Sequence, residues 1–176
     1  MSANETSIWD QRYAGEDYLF GQAPNSFLAA QASRLQSGKS ALALADGEGR
    51  NGVWLAEQGL KVLSIDSSAV AQEKARRLAL ARGVHIQLEL VDLSTWSFPE
   101  SRFDVIAAIF IQFAGPPLRA VLFQGIKRAL KPNGLLFLEA TVRSNLIIEQ
   151  AARRLLKINI PRRCCAKPFL IWKYWS

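Results

Sequence analysis

Residues 42–68 read LALADGEGRNGVWLAEQGLKVLSIDSS. A short apolar run ends at Ala45 and gives way to Asp46-Gly47-Glu48-Gly49. An amphipathic segment follows, then a second apolar run that ends in Asp66. The order is strand, glycine turn, helix, strand, acid, the opening half of a nucleotide-binding sheet. The glycines let backbone approach a ligand closely. Asp66 falls 20 residues after Asp46, at a strand tip where a ribose diol is expected to lie.

The glycine turn discriminates between ligands. Gly47, Gly49 and Gly52 formally fit the G-x-G-x-x-G spacing that seats a pyrophosphate on a helix N-terminus. Asp46 and Glu48, however, flank the first glycine and would repel a pyrophosphate. Acids there suit a cationic group instead. S-adenosylmethionine carries an ammonium, a sulfonium and a ribose diol, and no phosphate. The electrostatics favour it over NAD. A glycine turn that binds nothing is the third alternative.

Working outward, strands mostly alternate with helices. Residues 7–21, SIWDQRYAGEDYLFG, mix aromatic and charged residues and read as a cap or lid. Phe27, Leu28, Ala32 and Leu35 fall at helical spacing and predict an amphipathic helix over 24–36. Strands are predicted over 41–45, 61–65, 86–91, 103–109 and 135–140. Helices are predicted over 51–58, 68–81 and 119–130, with Gly59 as a helix stop and 131–134, KPNG, as a turn. The expected fold is α/β, a doubly wound and mostly parallel sheet with helices on both faces. Its C-terminal strands are expected to be altered or missing. Asp46, Asp66 and Asp92 each end a strand. Acids gathered at one sheet edge are costly unless paired or engaged by a ligand, although each alone also serves as a turn former or cap.

Composition bounds the rest. A chain of 176 residues with 49% hydrophobic content is expected to make one globular domain, residues 1–140, with 1–36 as a cap region. Residues 141–176 form an atypical basic tail. Eight of the 22 Lys and Arg and one of the 15 acids lie from residue 140 onward, so the body carries 14 of each and is neutral. The net charge of +7 is therefore a weak argument for nucleic acid. No apolar run reaches membrane-spanning length, and MSANETSIWD lacks a signal pattern, so a cytoplasmic location is expected. Cys164 and Cys165 are adjacent and suggest neither a disulfide framework nor a metal site, and the single histidine, His85, cannot anchor a metal alone.

WDQRY at 9–13, YLFG at 18–21, PNSFL at 24–28 and LADGEGRNGVWLA at 44–56 together carry a family resemblance. IDSS at 65–68, VDL at 91–93 and LKPNGLLFLEA at 130–140 continue it. The chain resembles class I S-adenosylmethionine-dependent methyltransferases, and among them the small bacterial tellurite-resistance and thiopurine-type branch. The resemblance implies that Asp46, Gly47, Glu48 and Gly49 form the turn around the methionine moiety, with Asp46 on the ammonium side. It implies that Arg50 and Asn51 contact the methionine carboxylate or cap the helix. Asp66 would bind the ribose hydroxyls, with Ser67 beside it. Asp92 would accept from the adenine amino group, and Leu93 would lie against the ring. Ile109 and Phe110 would face the methyl donor. Trp9, Arg12, Tyr13, Tyr18 and Phe20 would close the site from above, unless they are ordinary helix packing. Gln112 is the polar candidate near the acceptor.

Methyl transfer from a sulfonium is an in-line displacement in which the protein mainly positions groups and excludes water. No catalytic base and no metal ligand is assigned. After the fourth predicted strand the sequence reads IFIQF, without the N-P-P-Y or D-P-P-Y that grips an amino group on a base. A small-molecule acceptor is expected, a thiol or a chalcogen oxyanion, with S-adenosylhomocysteine as product. The alternatives are a cofactor-binding protein of the same fold with impaired turnover, and an RNA methyltransferase using the basic tail.

The tail departs from the family. VRSNLIIEQAARR, residues 142–154, can be back-translated so that a shifted frame reads RPEQLNYRTGGPP, close to a run the family shows here. A frame slip near 139–142 is one reading; a diverged tail with a basic helix over 146–157 is the other. Loss of the family's last strands would leave the fifth strand's edge open to a second copy of the chain. Ile171, Trp172 and Tyr174 are expected either to re-form a short edge strand or to make such a dimer contact.

Overall fold

Strands β1 (Ser40–Leu44), β2 (Lys61–Asp66), β3 (Gln87–Leu90), β4 (Phe103–Ile109), β5 (Leu130–Thr141) and β6 (Phe169–Trp175) make one sheet of order β3-β2-β1-β4-β5-β6. Every pairing in it is parallel. The structure, a computed structural model, describes residues 3–141 and 169–175. Helices α1 (Ala3–Tyr13), α2 (Ser26–Ala29), α3 (Arg50–Glu57), α4 (Ala69–Ala81) and α5 (Pro116–Ala129) complete it, with a 3-10 turn at Ala32–Arg34.

Parallel strands are buried on both faces, so their side chains are apolar at nearly every position. Along β1, Leu42 and Leu44 pack on one face with Ile106, Leu122, Ile126 and Leu138. Ala41 and Ala43 pack on the other with Val53, Leu55, Ala75, Leu78 and Phe137. The period of two thus splits one strand between two cores. The small alanines let α3 and α4 lie close to the sheet.

Chain order reverses at β1. The chain runs outward through β2 and β3, then returns to place β4 on β1's other side. Ligands in such sheets bind off the strands' carboxyl ends at this switch point.

Two expectations are corrected, and a choice left open is decided. The single helix over 24–36 is broken into α2 and the 3-10 turn. Asn25 starts α2 by accepting from the Leu28 amide at 3.1 Å. The helix stops after four residues, with Ala30 closing onto the Ser26 carbonyl. The segment 131–134 is not a turn between elements but part of β5, where it forms a bulge. Register jumps from Phe103 opposite Leu130 to Val105 opposite Leu135, and Asn133 takes a φ of 63°. Of the two outcomes expected at the edge of β5, the edge strand is the one formed: β6 runs beside it from Leu135↔Phe169 to Thr141↔Trp175. The tail's Ile171, Trp172 and Tyr174 therefore lie on an edge strand. The shifted-frame segment, the helix over 146–157 and both cysteines lie outside the described residues.

No described helix is long and apolar enough to cross a membrane.

Candidate functional site

A pocket of about 340 Å³ opens at the carboxyl ends of β1, β2 and β4, within the size range of small-molecule sites. Trp9, Tyr13, Phe20, Gly21, Phe110 and Phe113 line its apolar side, with Leu93 and Ile109. Ala45, Asp46, Gly47, Glu48, Arg50, Asn51, Asp66, Ser67 and Gln112 complete it. Gly49, Asp92, Arg12 and Tyr18, expected in the site, do not line it. Gly21, Ala45 and Phe113 do; they lie in the quoted stretches YLFG, LADGEGRNGVWLA and IFIQF without an assigned role.

The turn after β1 is held from within. The Gly47 amide donates to Asp66 Oδ2 at 2.8 Å. The Gly49 amide donates to the Asp46 carbonyl at 3.2 Å. The Gly52 amide donates to both carboxylate oxygens of Asp46, at 3.2 and 3.0 Å. All three glycine N–H groups are thus spent inside the protein and are not offered to a pyrophosphate.

Gly47 and Gly49 serve different ends. Gly49 has φ 85°, and a Cβ on it would stand 2.6 Å from Ala75 Cβ and 2.9 Å from Ala75 Cα. It is a close contact between the turn and α4, not a ligand contact. Gly47 has φ 58°, and its hypothetical Cβ would meet only the tip of Tyr13, 2.8 Å from the hydroxyl.

Burial raises the Asp46 carboxyl to about 7, against opposing bonds from the Ser64 hydroxyl and the Gly52 amide. Ser64 donates to Asp46 Oδ2 at 2.9 Å. Burial also raises Asp66, against the Ser68 and Gly47 amides. These two acids face the pocket. Glu48 stands differently. Its Oε1 is ion-paired with Lys74 Nζ at 2.8 Å, and its Oε2 accepts from the Leu19 amide at 2.8 Å. Its charge is answered by the protein, so the attraction for a cation comes from Asp46 and Asp66.

Arg50 and Asn51 line the pocket and also hold the cap. Arg50 Nη1 donates to the Phe20 carbonyl at 2.9 Å. Asn51 Oδ1 accepts from the Asn25 amide at 3.0 Å, and Asn25 Nδ2 donates to Glu139 Oε2 at 2.5 Å. Lys74 lies outside the quoted motifs, and Asn25 and Glu139 lie within them without an assigned role. A lysine in a helix and an acid in a strand carry no local sign of burial.

The aromatic cap is a helix. Trp9 and Tyr13 stack on α1, 5.5 Å apart, and Arg12 lies 4.5 Å from the Trp9 ring. Arg12 thus braces the ring that lines the pocket. Asp10 accepts from Ser68 Oγ at 2.5 Å, fastening α1 to the start of α4. Burial, then Asp66 and Glu48, push the Tyr13 hydroxyl up, keeping it a neutral donor beside the turn.

Asp92 makes a turn of its own: its Oδ1 accepts from the Ser94 amide at 2.8 Å and the Ser94 hydroxyl at 2.7 Å. Only its neighbour Leu93 reaches the pocket wall.

The donor set fits S-adenosylmethionine. It offers carboxylates for an ammonium and a diol, rings for a sulfonium and an apolar wall at Leu93, while its glycine amides are taken by Asp66 and Asp46.

Comparison with known proteins agrees. A family described as a methyltransferase domain matches residues 41–134. The ubiquinone biosynthesis O-methyltransferase of Pasteurella multocida (strain Pm70) is 32% identical over 122 residues, 64% of this chain and 50% of that protein. The chain thus spans about half the length of this curated relative. A structure described for the conversion of a disulfide bond into a thioacetal group during echinomycin biosynthesis matches with TM-score 0.63 and 26% identity, over 73% of this chain and 58% of that one. The TehB-like S-adenosylmethionine-dependent methyltransferase of Corynebacterium glutamicum shares the fold, with TM-score 0.57 and 23% identity over 76% and 71%.

Proposed function

The chain belongs to the methyltransferase-domain family matched over residues 41–134, and on that premise we propose that it binds S-adenosylmethionine and serves methyl transfer to a small-molecule acceptor. The observation that carries this reading is the use of the Gly47, Gly49 and Gly52 amides by Asp66 and Asp46. A dinucleotide site needs such amides for phosphate; a phosphate-free nucleoside with a cationic side chain does not.

When bound, the cofactor supplies an electrophilic methyl group on a sulfonium. Asp66 at the β2 tip receives the ribose hydroxyls. Asp46 lies below the turn, where an arriving ammonium would favour its ionised form, and Leu93 would pack against the base. Trp9, Phe20, Phe110 and Phe113 exclude water, and a ring over the sulfonium contributes about 0.5–2 kcal/mol. Asp92, next in sequence to Leu93 of the pocket wall, would accept from the adenine amino group.

Within this reading the acceptor is a soft anionic nucleophile, a thiolate or a reduced chalcogen oxyanion, as in the tellurite-resistance and thiopurine-type branch. Its support is the wall after β4, where Gln112 is the polar side chain beside Ile109, Phe110 and Phe113. A soft anion needs no base there. The O-methyltransferase among the relatives adds a hydroxyl acceptor to the candidates.

Isothermal titration with S-adenosylmethionine, S-adenosylhomocysteine and NAD tests the cofactor. Heat with the first two and none with NAD is expected; the reverse sinks the proposal. Mass spectrometry after incubation with thiols, selenite, tellurite, a catechol and mixed RNA then tests the acceptor. Methylated RNA with unmethylated small molecules would transfer the assignment to nucleic acid.

A further inference from the structure

A buried ion pair stands behind the pocket rim. Lys74 lies in the middle of α4 and Glu48 in the glycine turn, their side chains 7% and 3% exposed, with Nζ 2.8 Å from Oε1. Two desolvated charges are a costly way to fill space, and apolar packing commonly matches or exceeds them in stability. What the pair does that packing cannot do is hold backbone. Lys74 Nζ also donates to the Asp17 carbonyl at 2.7 Å. Glu48 Oε2 accepts from the Leu19 amide at 2.8 Å. Between them, the Tyr18 hydroxyl donates to the Lys74 carbonyl at 3.0 Å, and the Tyr18 ring lies 5.6 Å from Nζ.

Residues 17, 18 and 19 are therefore each tied to this one pair. The next two residues, Phe20 and Gly21, line the pocket. Glu48 is next to Gly47, whose amide Asp66 holds. Any shift of the turn around a ligand therefore reaches the strap through one side chain.

We propose that Lys74 is a positioning residue of the cofactor site: with Glu48 it latches residues 17–19 to the glycine turn, so that Phe20 and Gly21 close over the bound cofactor and slow its escape. The inference rests on the cofactor reading given above. It makes the latch act on dissociation, since a strap that closes after binding leaves entry largely unchanged.

The test is the release rate of S-adenosylhomocysteine, followed by stopped-flow tryptophan fluorescence with Trp9 as a reporter in the pocket. The double variant Lys74→Met/Glu48→Gln removes both charges at similar volume and strands neither. It is expected to release S-adenosylhomocysteine at least tenfold faster, with association within threefold of the wild type. Asp104→Asn is the control. Asp104 pairs with Lys131 at 2.8 Å, at the start of β4 and away from the strap, so this change is expected to lower the melting temperature and leave release unchanged. Wild-type release from the double variant, or equal acceleration in the control, overturns the latch.

Should the double variant fail to fold, hydrogen exchange on the wild type decides. The Leu19 amide is expected to exchange at least tenfold more slowly with S-adenosylhomocysteine bound, and an unchanged rate overturns the latch. A wild type that binds no S-adenosylhomocysteine overturns the cofactor reading and the latch together. A wild type that binds it while the double variant is indifferent overturns the latch alone.

Discussion

The Gly47 amide donates to Asp66 Oδ2 at 2.8 Å, so the tip of β2 holds the turn at the end of β1. Asp66 also accepts from the Ser68 amide at 2.9 Å, at the start of α4. One carboxylate thus joins two strand ends and a helix start beneath the pocket.

Asp66→Ala should therefore cost both stability and affinity. Losing a carboxylate that accepts ribose hydroxyls should remove about 1.5–3 kcal/mol of binding, or roughly tenfold or more in affinity. Buried amides left unpaired should also cost about 1–3 kcal/mol of stability. Glu73→Ala is the comparison. Glu73 is exposed on α4 and paired with Arg76 and Arg77, and affinity should be unchanged. Calorimetric titration and urea unfolding read the two effects, and equal affinity loss at both positions would misplace the ribose site.

Asp46 should leave a mark on the pH dependence of stability. Burial raises its carboxyl from 3.8 to about 7. The folded chain then keeps a proton that the unfolded chain has released. Stability from this group is full below about pH 4, declines as pH rises, and is gone above about pH 7. The urea midpoint of the wild type should fall across that window more steeply than that of Asp46→Asn. Parallel slopes would show that Asp46 does not titrate there.

The glycines of the turn should separate by function. Gly49→Ala forces a φ of 85° on alanine and drives its Cβ into Ala75. A left-handed residue costs roughly 1–2 kcal/mol, and overpacking adds typically about 1–3 kcal/mol. Gly47→Ala meets only the movable end of Tyr13. It should cost about 1–2 kcal/mol of stability while weakening cofactor binding by moving the ring. Unfolding midpoints and titrations distinguish the two, and a Gly49→Ala protein as stable as Gly47→Ala would refute the packing assignment.

Asn25→Asp should turn a hydrogen bond into a clash of charges. Asn25 Nδ2 lies 2.5 Å from Glu139 Oε2, and both residues are buried. Two carboxylates that close cannot both ionise. The variant should be markedly less stable than the wild type at pH 8 and recover toward it at pH 5, where the pair shares a proton. A stability deficit independent of pH would place the loss in the helix cap instead.

How much of this was legible beforehand depends on the range of the signal. The strand–turn–helix–strand unit at 42–68 was readable because each part is set by neighbours in sequence. Apolar runs make buried strands, Gly49 supplies the left-handed residue before α3, and Gly59 ends that helix. The pocket's edge followed, because the ends of β1, β2 and β4 deliver residues 45–48, 66–67 and 109, 110, 112 and 113 to the same side. The helix expected over 24–36 failed for a local reason, since Asn25 and Ala30 close α2 within one turn. The turn expected at 131–134 failed for a distant one, because β4 pairs on both sides of the bulge.

The sequence by itself determined the alternation of strands and helices, the glycine turn, and the acids at the strand tips. These rest on periodicity and backbone conformation, which are properties of short segments. Only the tertiary structure decided what each charge does. Glu48 lines the pocket as expected, but its charge is paired with Lys74, 26 residues away. Asp92 and Asp66 each accept from the amide two residues on, Ser94 and Ser68, and what separates them is that Asp66 also holds the Gly47 amide and lines the pocket. Asn25 and Glu139 meet across 114 residues. A side chain's chemistry is local, but its partner is chosen by the packing of elements far apart in the chain, and burial then fixes whether it faces a ligand or the protein.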